Sequence, residues 1–228
     1  MKHPFTPAPH ASVAIAGSDE RFPVHRIYCI GRNYADHAKE MGMPVERGTP
    51  LFFCKPCDAV VEDGTTIPYP SATNDLHHEV EMVVALQSGG TNIAEGDALA
   101  HVFGYGVGID LTRRDLQAAL KAKGSPWDIA KGFDRSAPLS AIHRSSEIGH
   151  PEHAQLSLNV NGTQRQCSDI GEMLFSVPQI IHELSKLFEL RAGDLIFTGT
   201  PAGVAALKPG DAWHAKLEGV AELRGQIG

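Results

Sequence analysis

Leu76-His77-His78-Glu79-Val80-Glu81-Met82-Val83-Val84, running on into Ala85-Leu86, reads as a β-strand with two acids one residue apart. Side chains alternate between the faces of a strand, so Glu79 and Glu81 project from one side while Val80 and Met82 point the other way. The apolar end predicts a half-buried strand with both acids at the rim of a core. Two unit charges about 4 Å apart repel by roughly 4 kcal/mol at an effective dielectric of about 20. A fold accommodates that when the acids reach water, when one keeps a proton, or when a cation sits between them. Solvent-facing acids on an edge strand meet the first condition. A hard, oxygen-seeking ion such as magnesium, manganese or calcium meets the third.

Beyond this run, Val102 to Asp110 reads as a second strand, with Gly104, Gly106 and Gly108 thinning one face so that a backbone or a ligand can come close. Asp110 ends it. It is a candidate N-cap for the helical pattern from Leu111 to Lys123, although Thr112 serves that purpose equally well. Taken with Glu79 and Glu81, it makes three carboxylates, enough for a divalent ion that keeps positions open for water or substrate. Asn33 to Met41 predicts a short helix ended by Gly42-Met43-Pro44. His37 and Glu40 share a face of that helix, either as a surface ion pair or as a general base whose tautomer the carboxylate fixes. Arg113, Arg114 and Lys131 are candidate cations. Thr198-Gly199-Thr200-Pro201-Ala202-Gly203 offers hydroxyls and N–H groups for clasping a carboxylate, without the spacing or lysine of a phosphate loop.

Elsewhere, short strands at Arg26–Gly31, Leu51–Cys54 and Asp194–Thr198 and an amphipathic helix from Val177 to Leu190 complete a strand-dominated pattern. Leu156–Val160, Asn161-Gly162 and Thr163–Arg165 predict a hairpin with a two-residue turn. Residues 1–25, rich in Pro and Ala, read as an arm or lead-in strand ahead of a single domain over residues 26–228. The opening Met1-Lys2-His3-Pro4-Phe5 leads into no continuous apolar core, unlike a secretory signal. With 228 residues, 42% hydrophobic and 21% charged, the composition is that of a globular protein. A net charge of −7 without a basic block argues against nucleic acid and anionic membrane as partners, and no apolar stretch has the length of a membrane helix. A cytoplasmic location is the expectation. Cys54-Lys55-Pro56-Cys57 has redox-dithiol or zinc spacing but lacks a second ligand pair, so both cysteines are expected to be buried thiols.

Several segments, in order, resemble the fumarylacetoacetate hydrolase family in its short, single-domain acylpyruvate (fumarylpyruvate) hydrolase branch. They are Gly31-Arg32-Asn33-Tyr34-Ala35-Asp36-His37, Phe53-Cys54-Lys55-Pro56, His77-His78-Glu79-Val80-Glu81, Gly104-Tyr105 with Asp110-Leu111-Thr112-Arg113-Arg114-Asp115-Leu116-Gln117, Trp127 to Phe133 and Thr198 to Val204. Cys57 departs from the serine that relatives often carry after Lys-Pro. The resemblance implies an α+β, strand-dominated β-roll or sandwich with short helices, assembled as a homodimer. It implies Mg2+ or Mn2+ held by Glu79, Glu81 and Asp110. His37 and Glu40 match the family's catalytic dyad and Lys131 its active-site lysine. Arg114, Gln117 and Thr200 match positions near the substrate, and Lys55 a lysine at the pocket's edge.

The reaction so implied is hydrolysis of a C–C bond in a 2-oxo acid of the acylpyruvate class, fumarylpyruvate being the type suggested by the family's place in aromatic ring cleavage. A divalent ion would steady the departing enolate while His37, oriented by Glu40, activates water. Oxaloacetate decarboxylation or tautomerisation on the same metal site is the nearest alternative, with heptenedioate isomerases further off. A non-catalytic metal protein is the alternative of a different class, and it has no use for the His37–Glu40 pair or Lys131.

Overall fold

The computed structural model describes residues 3–42 and 48–228, so Met1 and Lys2 of the opening run and Met43 and Pro44 of the expected helix stop lie outside the described residues. The architecture is α+β and strand-dominated. Six strands form the central sheet, in the order His143–Arg144, Val102–Ile109, Val80–Leu86, Leu195–Phe197, Ile27–Gly31 and Leu51–Lys55. Leu195–Phe197 runs parallel to Ile27–Cys29 and antiparallel to Val83–Ala85, so it joins the two halves of the sheet. A five-stranded sheet packs against one face; it contains Gln155–Val160, Thr163–Asp169, Ala212–Leu217, Ala221–Ile227 and Thr65–Ile67.

Alternation along Val80–Leu86 divides the core in two. Val80, Met82, Val84 and Leu86 enter the larger cluster, with Leu156, Leu158, Leu223 and the helix residues Ile180, Ile181 and Leu184. Val83 and Ala85 face the smaller cluster beside Phe197, Ile27, Val13 and Phe22. The last two come from a hairpin, Ser12–Ala14 with Arg21–Pro23, through which the N-terminal segment packs onto the second face.

The run that reads as one strand is two. Leu76–His78 belongs to a small sheet with Thr112–Arg113 and Ala205–Leu207, whereas Val80–Leu86 belongs to the central sheet. The break falls at Glu79. Gln166 enforces it, because its side-chain oxygen accepts from the Val80 N–H at 3.0 Å and contacts His78 Nδ1 at 2.9 Å. Glu79 therefore sits at a corner where two sheets meet.

The thinned face of Val102–Ile109 is packed by the chain itself, by backbone at Gly104 and by side chains at Gly106 and Gly108. A Cβ on Gly104 would lie 2.1 Å from the His143 carbonyl oxygen, and one on Gly106 would lie 2.9 Å from Ser140 Oγ. The turn after Gln155–Val160 has the expected form, with Asn161 at φ +51° and Gly162 at φ +76°. The helices are shorter than their patterns: Ala35–Glu40, Arg114–Ala122 and Val177–Leu187. Cys54 corrects the expectation of buried thiols. It is exposed because Leu51–Lys55 is an edge strand, Cys57 is half-buried, and all four cysteines are free. No helix among the described residues is long and apolar enough to cross a membrane.

Candidate metal centre and active site

Three elements bring three carboxylates together. Glu79 comes from the corner between sheets, Glu81 from the first turnward residues of Val80–Leu86, and Asp110 from just past Val102–Ile109. The pairing of Val80 with Ile109 and Glu81 with Gly108 places the two strand ends side by side, and the Asp110 N–H donates to the Glu79 carbonyl at 2.8 Å. One oxygen from each of the three acids lies within 4.8 Å of the others, and all three residues are buried. Asp110 does not cap the following helix: the N-cap is Arg113, without a side-chain hydrogen bond.

Cations surround two of the acids. Lys131, on the short helix Asp128–Lys131, donates to Glu79 Oε2 at 2.7 Å, Asp110 Oδ2 at 2.6 Å and Thr112 Oγ1 at 2.7 Å. Arg114 pairs with Glu79 and also donates to Gln117 Oε1. Burial pushes the Glu79 carboxyl up, but the charges of Lys131 and Arg114 outweigh it and hold the group below the ordinary carboxylate range. Burial opposes the charge of Lys131, yet Asp110 and Glu79 hold its ammonium above the usual lysine range.

Glu81 differs. Its hydrogen bond comes from the Gly199 N–H at 2.7 Å, and it forms no ion pair among the described residues. Burial first, then the neighbouring charges of Asp110 and Glu79, push its carboxyl well above the ordinary range. Asp110 Oδ1 accepts no well-formed hydrogen bond, although Lys55 Nζ lies 2.8 Å away. Three hard oxygens at one buried point, one of them on an acid short of positive charge, fit a magnesium- or manganese-type ion; zinc's nitrogen and sulfur ligands are absent from the set.

His37, 7% exposed, lies with Glu79 and Glu81 on the wall of one cavity, together with Arg114, Gln117, Lys131 and Thr200. Its Nδ1 is 3.2 Å from Glu40 Oε2. The loop 198–203 clasps carboxylates of the chain itself: Gly199 N–H serves Glu81, and Gly203 N–H reaches the Glu40 oxygens at 3.1 and 3.2 Å. Gly199 is required there. It adopts φ +94°, and a Cβ would stand 2.6 Å from Cβ of the buried Asn33. Lys55 lies elsewhere than at the pocket's edge. Its side chain is completely buried behind Asp110, also donating to the carbonyls of Leu111 and Lys131. Sequence reasoning passed over Thr112 as a partner of Lys131, and Arg32, Phe53 and Trp127 as cavity walls.

Residues 26–228 match the family described as fumarylacetoacetate (FAA) hydrolase, C-terminal. The chain belongs to the fumarylacetoacetate hydrolase family. It is an enzyme of that family. Among solved structures, fumarylpyruvate hydrolase from Pseudomonas aeruginosa, in complex with Mn2+ and pyruvate, is similar at 48% identity and TM-score 0.97, with 99% of each chain covered. Among curated relatives, the mitochondrial oxaloacetate tautomerase of Rattus norvegicus is 43% identical over 201 residues, covering 88% of this chain and 90% of the relative. Oxaloacetate tautomerase from Escherichia coli is 40% identical over 199 residues, covering 87% and 90%. The fumarylacetoacetate hydrolase fold and the buried acid triad thus occur together in this chain.

Proposed function

We propose that this enzyme hydrolyses acylpyruvates of the fumarylpyruvate type to a carboxylic acid and pyruvate, using Mg2+ or Mn2+ held by Glu79, Glu81 and Asp110. The observation that carries this reading is a histidine backed by a carboxylate, His37 with Glu40, in the same cavity as the acids. Decarboxylation has no need of such a base, whereas hydrolysis must activate water.

A bound divalent ion would supply Lewis-acid charge for the oxygens of the 2-oxo acid end, where negative charge gathers as the bond breaks. The chain's own groups do the rest. Contact with Glu40 favours the tautomer whose Nδ1–H donates to the carboxylate, leaving Nε2 to accept a proton. His37 takes that proton from water as the water oxygen bonds to the distal carbonyl carbon. The C–C bond then breaks, its electron pair passing to the methylene carbon of the pyruvate fragment. His37 returns its proton to that carbon, and the new carboxyl group loses its own proton to solvent. Lys131 adds positive charge beside the 2-oxo acid end. Arg114 and Gln117 orient carboxylate oxygens. Thr200 Oγ1 already accepts from Gln166 Nε2 at 2.8 Å, which leaves its hydroxyl hydrogen to donate to substrate.

The names of the curated relatives favour a second reading on the same groups, oxaloacetate tautomerisation, in which His37 moves a proton without attack by water. The test is to incubate the Mg2+- or Mn2+-supplemented protein with fumarylpyruvate and with enol-oxaloacetate. Stoichiometric fumarate and pyruvate from the first support hydrolysis. Accelerated ketonisation of the second, with fumarylpyruvate untouched, would replace it with the tautomerase reading. The homodimer implied by the family resemblance belongs to the same proposal and is checked by sedimentation velocity.

A further inference from the structure

The cavity at the acid triad is small, about 50 Å³, but it does not end there. It opens past Phe53, Trp127 and Lys131 into an outer lobe of about 630 Å³. Arg32 and Lys121 line both spaces, and Asp128 is the acid on the outer wall. Phe53 and Trp127 meet edge to face with ring centroids 6.1 Å apart and form an aromatic side to the passage.

Arg32 is held there at a cost. It adopts φ +63°, a left-handed conformation that an arginine seldom takes. Both neighbours are fixed. Gly31 pairs with Leu51 in the central sheet, while the fully buried Asn33 side chain donates to the Thr198 and Phe175 carbonyls and accepts from the Phe175 N–H. The backbone is thereby committed, and the guanidinium is exposed without a hydrogen bond or ion pair among the described residues. A strained backbone that delivers an unengaged fork of donors to a cavity wall suits a ligand carboxylate, which such a fork grips through two hydrogen bonds.

Resting on the acylpyruvate reading of the inner site, we propose that Arg32 recognises a carboxylate at the far end of the acyl arm. The outer lobe would then select flat, dianionic acylpyruvates over those with a neutral arm. With the 2-oxo acid end at the triad and the distal carbonyl facing His37, the arm extends along Phe53 and Trp127. Its terminal charge arrives where Arg32 and Lys121 stand. Oxaloacetate is too short to reach this lobe, so Arg32 should leave its binding untouched.

Arg32→Asn tests this, because asparagine tolerates a left-handed backbone, and Arg32→Gly provides a second variant with no backbone strain at all. Calorimetric binding of 2-oxoheptanedioate, which matches fumarylpyruvate in length, and its neutral-armed counterpart 2-oxoheptanoate to the Mn2+-supplemented protein reads the subsite without turnover. The wild type should prefer the dianion by about ten- to a hundredfold, and both variants should lose that preference while binding 2-oxoheptanoate as before. A wild type without the preference, or variants that keep it, would overturn the assignment. In kinetics, KM for fumarylpyruvate should rise in the variants while that for acetylpyruvate stays within about twofold. If the wild type hydrolyses neither compound, the proposed reaction fails, and the binding comparison still decides the role of Arg32.

Discussion

Lys55 supports Asp110 from the side away from the cavity, with Nζ 2.8 Å from Oδ1 and neither side chain exposed. Removing one member of such a buried pair leaves a charge in a low-dielectric interior, which costs about 3–5 kcal/mol. Lys55→Met should therefore destabilise the protein by about that amount in urea unfolding and weaken binding of Mn2+. A substrate-binding role alone would leave the unfolding midpoint in place and raise only KM.

Glu81 gives a prediction about protons. Burial and the neighbouring acids favour its protonated form in the metal-free fold, whereas a metal ligand must be ionised. Loading Mn2+ should release protons and grow tighter as pH rises, measured by calorimetry in buffers of different ionisation enthalpy. The same displacement fixes the sign of the pH dependence. A carboxyl whose pKa is raised on folding stabilises the metal-free fold below the unfolded value of 4.5, and that contribution is lost as pH rises toward the folded pKa. Glu81→Gln should flatten this loss, abolish metal binding and suppress the proton release.

His37→Ala should lower turnover by about 10²- to 10⁴-fold with little change in affinity for Mn2+, since the histidine's hydrogen-bond partner among the described residues is Glu40 and not the triad. Glu40→Gln should give a smaller loss and shift the pH profile, because Glu40 acts on the imidazole and not on substrate. Full activity in His37→Ala would exclude water activation by this residue.

Gly199→Ala probes the loop that holds Glu81. A Cβ there meets Asn33 at 2.6 Å with φ at +94°, and the strain is expected to cost about 1–3 kcal/mol. Displacing the Gly199 N–H also frees the Glu81 carboxylate. The prediction is a lowered melting temperature together with weaker Mn2+ binding; loss of stability without loss of affinity would show that the loop does not hold Glu81.

The sequence makes some of this legible and hides the rest for identifiable reasons. Period-two alternation sends Glu81 and Val83 to one face and Val80 and Met82 to the other, as the core clusters bear out. Turn chemistry at Asn161-Gly162 is local and is read without error. The strand break at Glu79 is not local: it depends on Gln166, 86 positions from Val80. Likewise, three alternating glycines reveal that something approaches closely, but only tertiary structure identifies it as the 140–143 segment at Gly104 and Gly106 and the Phe197 ring at Gly108. Burial of Lys55 and exposure of Cys54 follow from alternation on an edge strand whose outer neighbour is solvent.

The parallel pairing of Leu195–Phe197 with Ile27–Cys29 has a consequence for biosynthesis. Ile27–Gly31 and Val80–Leu86 leave the ribosome early, yet the strand that stands between them is made more than a hundred residues later. Until Phe197 emerges, the nascent chain carries two unpaired apolar edges, the kind of surface on which chaperones act. Closure of the central sheet therefore waits until Phe197 has been made, long after the strands that carry the three acids.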